Sequence, residues 1–344
     1  MVSNKIIINN NERQKYKTIF DQKSGLLCRI ENENASEPFW CEFGPELIDI
    51  SITNWCDRNC SFCYRKSNTN GNHITLADYR TILSQAAQMG VLQVALGGGN
   101  PNQHPDFCEI LRITREEYNI VPSFTTNGRG LTKAILNSSN KYCGAVAVSA
   151  YEPDGITFDA TTKLINNGIR TNIHFLLTSS SIDTAIEWLQ NPTELLTNIN
   201  AIIFLNYKPV GNTPNDDLLV KNSQQISKFF QLANKAHHYK IGFDSCSISA
   251  IARFMKINEV FIDHCEAGRF SMFISEDMKM YPCSFMVDKI EGIPILKNNI
   301  QYAWKFSSIF KNFRESINNQ QCLSCDVNNI CQGGCPIFKE INIC

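Results

Sequence analysis

Along most of the chain, short β-branched runs alternate with stretches whose apolar residues recur every three or four positions, the patterns of buried strands and amphipathic helices. From Leu47 this alternation is regular. Residues 48–52 carry Ile48, Ile50 and Ile52. Thr75 then stands as an N-cap before the helical stripe Leu76, Tyr79, Ile82, Leu83 and Ala86, which Gly90 stops. Residues 91–96 are almost continuously apolar, as in a parallel strand covered on both faces. Strands are further predicted over 121–125, 145–150, 169–177 and 199–206, with helical stretches near 131–136, 158–165 and 182–189. Six βα units of this size make much of a barrel but not all of one. A helix over 223–238 and a strand over 241–244 complete this region.

Before Leu47 the pattern is different. Short runs over 5–8, 16–20 and 26–30 are separated by Asn9-Asn10-Asn11 and Lys23-Ser24-Gly25, which reads as a small β-rich segment with polar turns. Near the other end, 270–275 and 279–281 read as a hairpin. The organisation expected is a β-rich segment (1–46), an α/β core (47–244), a bridging segment (245–264) and a small C-terminal domain (265–344). The fold class is α/β, a partial (β/α)6 TIM-like barrel with these two additions.

Composition narrows the function. The 344 residues are 43% hydrophobic and 19% charged, as in a globular protein with a sizeable core. A net charge of -1 gives no reason to expect nucleic acid or an anionic membrane as partner. No apolar run reaches the length of a signal peptide's h-region near Met1, or of a membrane span elsewhere, so a cytoplasmic location is expected. The 15 cysteines then point to metal ligation, because the cytosol keeps thiols reduced.

The densest chemistry is Cys56-Asp-Arg-Asn-Cys60-Ser-Phe-Cys63, directly after the first barrel strand. Three thiols on one loop can hold three corners of an iron–sulfur cubane, which normally takes four, leaving one iron open. Structural zinc would want four closed ligands, and this loop offers no fourth Cys or His. This spacing, with Phe62 before the last Cys, resembles the radical SAM superfamily, in which the open iron chelates S-adenosylmethionine (SAM). Gly97-Gly98-Gly99-Asn100-Pro101 resembles the family's Gly-Gly-Glu-Pro stretch, which holds the SAM amino group. Asn100 departs from it, offering an amide carbonyl without a charge. The resemblance further implies SAM contacts from Phe62, Gly98, Gly99, Thr126, Asn127 and Ser149. On the adenine side it implies contacts from Asn172, Lys208 and Val210.

A second cysteine set runs Cys265, Cys283, Cys322-x2-Cys325-x5-Cys331-x3-Cys335 and Cys344. C-x2-C pairs alone would suit zinc knuckles. Behind a radical SAM core, and with Gly268 and Tyr281-Pro282-Cys283, the set resembles the SPASM extension of peptide maturases, although Met278 stands where that motif has Gly. The resemblance implies one auxiliary [4Fe–4S] cluster on Cys322, Cys325, Cys331 and Cys344, and another on Cys265, Cys283 and Cys335. That makes three clusters with the one on Cys56, Cys60 and Cys63. The second auxiliary set lacks a fourth thiol. Cys246 is a candidate for it, with an active-site hydrogen-atom donor and an inert packed thiol as the competing readings. Cys28, Cys41, Cys108 and Cys143 read as packed thiols.

The activity implied is hydrogen abstraction from a peptide or protein, giving an oxidative modification or crosslink. Alternatives are a radical SAM reaction on a small molecule, and Cys/Ser oxidation like that of anaerobic sulfatase maturases. Implied partners are a short precursor peptide, an electron donor such as flavodoxin or ferredoxin, and a separate leader-binding protein. Residues 1–46 are too few for a winged-helix leader-binding domain, so strand addition to this segment is the other route for a leader.

Overall fold

A computed structural model describes residues 5–31, 37–151, 155–221, 223–235, 237–258, 262–317, 322 and 324–343. Seven parallel strands follow the chain order across one sheet: β4 (Leu47–Thr53), β5 (Gln93–Gly98), β6 (Val121–Thr126), β7 (Val146–Ala150), β8 (Thr171–Leu177), β9 (Ala201–Asn206) and β10 (Lys240–Phe243). On the far side of β4 the sheet continues through β11 (Ser271–Ile274), parallel to it, then β12 (Lys279–Tyr281) and β13 (Ile293–Pro294), both antiparallel. The hairpin read from sequence is therefore an extension of the barrel sheet. β1 (Ile6–Asn11), β2 (Tyr16–Asp21) and β3 (Leu27–Glu31) form a separate antiparallel sheet.

Helices cover the outer face: α1 (Leu76–Gln88), α2 (Phe107–Arg112), α3 (Lys133–Tyr142), α4 (Gly155–Asn166), α5 (Ile182–Gln190), α6 (Glu194–Thr197), α7 (Gln224–Ala233) and α8 (Ile248–Phe254). The expected cap forms, with Thr75 accepting from the Asp78 N–H, and Tyr79, Ile82, Leu83 and Ala86 are buried as the stripe predicts. Burying each such side chain contributes about 1.5–3 kcal/mol, which makes this stripe, and not helix propensity, the reason α1 is held. Near the C-terminus α9 (Ile300–Phe306), α10 (Ser308–Ile317) and α11 (Asn328–Cys331) follow. α9 docks on α1, its Ile300 N–H donating to Gln85 Oε1 at 2.9 Å, and Trp304, fully buried, donates from Nε1 to the Cys41 carbonyl at 2.7 Å.

Two local expectations are corrected. Asn9, Asn10 and Asn11 lie within β1, in register with Thr18, Lys17 and Tyr16, because ladder pairing carries on past the last Ile. α7 stops at Ala233, so His237 and His238 lie beyond it; His237 Nε2 instead meets the Leu232 carbonyl at 2.9 Å.

The small sheet packs at the amino ends of the barrel strands. Phe20 is buried with Leu92 and Val121, Thr18 donates to Glu46, and Arg29 pairs with both Glu46 (2.7 Å) and Glu266 (2.5 Å). Parallel α/β folds bind ligands at the carboxyl ends of their strands. A peptide added to the edge of β1 or β3 would thus lie a strand length, roughly 20 Å, from such a site. Among the described residues no helix is long and apolar enough to cross a membrane.

Candidate active site

Each barrel strand delivers its following loop to the carboxyl end of the sheet, and the three-cysteine loop follows β4. The Cys56 N–H donates to the Asn68 carbonyl (3.0 Å), closing the loop, and the Cys63 N–H donates to the Cys60 carbonyl (3.1 Å), turning its second half. Asn59 adopts φ 47°, a left-handed conformation that Asn tolerates better than most residues, and this lets the chain bend between Cys56 and Cys60. Arg65, just past Cys63, is buried and pairs with Glu276 in the β11–β12 turn at 2.7 Å; the same carboxylate accepts from Ser51.

The glycine-rich turn after β5 lies directly on this loop. Gly99 N–H donates to the Thr53 carbonyl at 2.7 Å and Asn100 N–H to the Trp55 carbonyl at 3.0 Å. The approach is so close that a Cβ on Gly99 would sit 1.9 Å from the Trp55 oxygen. From the other side comes the loop after β9. Asn212 Nδ2 donates to the Cys60 carbonyl (2.9 Å), Thr213 N–H donates to the Ser61 carbonyl (2.9 Å), and a Cβ on Gly211 would meet the Cys63 carbonyl oxygen at 2.3 Å. Two backbones pressed this tightly hold the three thiols in a fixed frame.

Asn100 does something other than the sequence suggested. It is buried, and its Oδ1 accepts from the Asn127 N–H (3.0 Å) and Thr126 Oγ1 (3.2 Å). Its Nδ2 donates to Gln103 Oε1 (2.9 Å) and the Arg129 carbonyl (3.2 Å). Both amide hydrogens are thus taken by protein, and Oδ1 holds the Asn127 N–H while sharing the single Thr126 hydroxyl proton with Asn102 Oδ1 (2.6 Å). The carbonyl expected to meet the SAM ammonium instead ties the glycine turn to the Thr126-Asn127-Gly128 turn. Asn100→Leu is expected to leave those partners unsatisfied, at about 1–3 kcal/mol per buried group, lowering the melting temperature and SAM affinity together. Asn100→Leu with both unchanged would remove the tie from the account.

Asn127, at the centre of that turn, places Nδ2 3.7 Å from Cys56 Sγ and 3.1 Å from Asp57 Oδ1. It can donate to a cluster thiolate, one of the levers that set a cluster's potential. Asp57, which the sequence reading passed over, also accepts from Gln103 Nε2 (3.2 Å) and pairs with Arg129 (3.6 Å). Ser149, buried at the end of β7, shares a hydrogen bond with Tyr151, and Tyr151 packs edge-on against Phe62 with centroids 5.5 Å apart. Tyr151 was missed as well; its place one residue past the end of β7 was the available signal.

Asn172 is not brought to the site. It lies at the amino end of β8, between Ala147 and Ala201 in register, and accepts from Asn200 Nδ2 at 2.7 Å. That is about 16 Å along the strand from the carboxyl end. His174, two residues on, meets Thr125 Oγ1 at 3.4 Å, and burial pushes its pKa down to about 4, so it stays neutral. Lys208 points away from the glycine turn. Its ammonium pairs with Asp244, donates to Cys246 and lies 5.0 Å from the centre of the Phe285 ring. Burial disfavours the charge, but Asp244 and Cys246 more than offset this, so Lys208 titrates above the ordinary lysine range.

The second thiol group is adjacent. Cys335 is buried with Tyr207, Phe338 and Ile341, and against this cluster pack Phe62, Val210, Cys246 and Phe285. Phe62 and Val210 therefore form the wall between the three-cysteine loop and the second group, and Tyr64 packs on Phe285 with its ring tilted by 36° and centroids 4.6 Å apart. Asn342 clamps the Cys335 backbone, accepting its N–H at 2.9 Å and donating to its carbonyl at 3.3 Å. Cys265 and Cys283 interact electrostatically with each other and with Cys246; burial pushes Cys265 up to about 12 and Cys283 higher. Thiols so desolvated ionise readily only beside added positive charge. Among the described residues no three His, Cys, Asp or Glu surround one point as ligands of a single ion would. Met278, standing where the SPASM motif has Gly, adopts φ 61°, the left-handed region that explains a preference for Gly there.

Cys322, Cys325 and Cys331 form a further stretch, with Cys325 N–H donating to the Cys322 carbonyl at 3.0 Å and Cys331 buried at the end of α11. Cys344 lies outside the described residues. Of the cysteines read as packed, Cys41 is buried with Tyr16 and Phe270, while Cys108 and Cys143 pack on the main core.

Known proteins resemble this chain in sequence and fold. The mycofactocin maturase MftC of Mycobacterium tuberculosis is 23% identical over 326 residues, 86% of this chain and 79% of its own length. The crystal structure of Streptococcus suis SuiB bound to S-adenosylmethionine superposes with a TM-score of 0.74 at 18% identity, over 97% of this chain and 95% of that one. SuiB bound to its precursor peptide SuiA gives a TM-score of 0.74 at 17% identity, with the same coverage. These structures share the fold. Residues 50–179 match the family model of the radical SAM superfamily. That match begins within β4, takes in the three-cysteine loop and the glycine turn, and ends just past β8, so this segment of the chain is similar to the radical SAM superfamily.

Proposed function

We propose that this protein is a radical SAM enzyme that removes hydrogen from a peptide substrate, leaving an oxidised or crosslinked residue. The observation that carries this reading is the second buried thiol group, set against the three-cysteine loop across Phe62 and Val210. Two relatives support the substrate class: MftC is a maturase by name, and SuiB has been solved with a precursor peptide.

Cys56, Cys60 and Cys63 would hold one [4Fe–4S] cluster, and the fit rests on donor chemistry, since three thiols on a loop pinned from both sides leave one iron for another ligand. When bound there, SAM supplies a 5′-deoxyadenosyl radical able to take a hydrogen atom from a C–H bond. The protein's own residues do the rest. The glycine turn offers backbone groups at close approach, Asn127 donates toward Cys56, and Phe62, packed edge-on against Tyr151, forms one wall of the site. Lys208 and Asp244 stay paired beyond that wall.

Cys322, Cys325, Cys331 and Cys344 would hold one auxiliary cluster, and Cys265, Cys283 and Cys335 take part in another. An electron donor of the flavodoxin or ferredoxin class would reduce the SAM-binding cluster. The position of the β1–β3 sheet, a strand length from the site, favours a separate leader-binding protein over strand addition. Anaerobic reconstitution is the test. The reading expects close to twelve irons per chain, roughly four per cluster. A chain saturating near four would remove both auxiliary clusters from it.

A further inference from the structure

Resting on that reading of an auxiliary cluster, we infer that Cys246 joins Cys265, Cys283 and Cys335 to form one closed four-thiolate site, with the Lys208 ammonium held against it. The sequence left this cluster one ligand short, because residues 266–272 contain no cysteine. The fold provides one from elsewhere. β10 ends at Phe243, and the turn Ser245–Ser247 carries Cys246 into the buried cluster that contains Cys335. The two thiols hydrogen-bond to each other, and Cys265 and Cys283 both interact with Cys246.

The nearby carboxylates are held by other groups. His264, next to Cys265, keeps a buried Nε2 without a partner, and Cys246 is preferred to it because Cys246 packs with Cys335. Glu266, next to Cys265, is held by Arg29 at 2.5 Å. Asp244 accepts from the Asn206 N–H (3.2 Å) and Ser247 Oγ (2.8 Å) in addition to Lys208. Cys41 faces Tyr16 and Phe270, Cys28 lies on β3, and Cys108 and Cys143 pack on the main core.

Two consequences follow from the coordination. A cluster with four protein thiolates has no iron open to a substrate atom, so this site serves electron transfer and not substrate ligation. Lys208 adds a positive charge and an N–H donor at the Cys246 sulfur, and both raise a cluster's reduction potential.

The test uses the full chain, reconstituted anaerobically with SAM present to cover the open iron of the Cys56 loop. Wild type, Cys246→Ala and Cys246→Ser are compared by iron content and by EPR of the reduced auxiliary signal, with isotopically labelled cyanide as the probe. Wild type is expected to show no cyanide coupling on the auxiliary signal. Cys246→Ala is expected either to gain that coupling or to lose about four irons. Cys246→Ser, which offers an oxygen ligand and guards against misfolding, is expected to shift the signal without coupling. Lys208→Met is expected to keep the iron and lower the auxiliary potential. Identical iron and spectra in wild type and Cys246→Ala would overturn the inference while leaving the auxiliary cluster in place. Cyanide coupling in wild type would overturn it too. A wild type holding only about four irons would instead fail the reading on which it rests.

Discussion

Replacing Cys56, Cys60 and Cys63 together with Ala is expected to abolish SAM cleavage and remove about one third of the iron. The loss should be complete because no other described cysteine approaches this loop as a replacement: Cys246, Cys265, Cys283 and Cys335 belong to the group behind Phe62 and Val210. The remaining iron should keep an EPR signal, since Cys246, Cys265, Cys283 and Cys335 form a separate group. The backbone bonds that place the loop, from Asn212 and Thr213 to the Cys60 and Ser61 carbonyls, do not involve the substituted side chains. The variant should therefore fold. Retained formation of 5′-deoxyadenosine by it would contradict the assignment of this loop.

Gly99→Ala is expected to be nearly as damaging, although it adds one methyl group. The new Cβ would meet the Trp55 oxygen at 1.9 Å, its carbonyl carbon at 2.5 Å and its nitrogen at 3.0 Å. These are backbone atoms of the residue directly before Cys56, and the turn is fixed there by the bonds from Gly99 to Thr53 and from Asn100 to Trp55. Relief requires the turn to lift away, breaking those bonds at about 1–3 kcal/mol and displacing the SAM-facing backbone. A SAM dissociation constant weakened about tenfold corresponds to about 1.4 kcal/mol, in the lower half of that range. Gly97→Ala, two positions earlier, is the control: its Cβ would meet nothing within 4 Å, and a surface-like effect within about 0.5 kcal/mol is expected. Calorimetric titration of SAM into both variants checks the pair, and equal affinities would contradict the close-packed turn.

Much of the fold was legible because its strands and helices are marked locally. The stripe of α1 and its Thr75 cap, the apolar run of β5 and the short strand β10 all lie within a residue or two of where periodicity put them. Local signals failed where pairing or packing decides. The polar end of β1 is strand because β2 pairs with it. β11 joins β4 in parallel across more than two hundred residues, and no window of sequence carries that contact. α9 went unread although Asn299 caps it and Ile300, Ala303 and Trp304 make a buried stripe.

At the site, spacing located the thiols, because ligation depends on where a loop places sulfur. It did not locate the partners of polar side chains. Asn100 resembles a family glutamate by position, yet its amide bonds to Asn127, Gln103 and Arg129, partners set by tertiary packing. Asn172 has a suitable side chain at the wrong end of its strand. Lys208 follows β9 as expected, but Asp244 draws its ammonium toward Cys246.

The central claim, radical SAM chemistry on a peptide, is tested most directly in one anaerobic reaction. It contains the reconstituted protein, SAM, a strong reductant and a short candidate precursor peptide, with both products followed by mass spectrometry. The account predicts 5′-deoxyadenosine together with a peptide lighter by hydrogen atoms, and no peptide change in the Cys56, Cys60 and Cys63 triple variant. Abundant 5′-deoxyadenosine beside an unaltered peptide would contradict the assignment of that substrate, and no 5′-deoxyadenosine from a fully iron-loaded protein would contradict the chemistry itself.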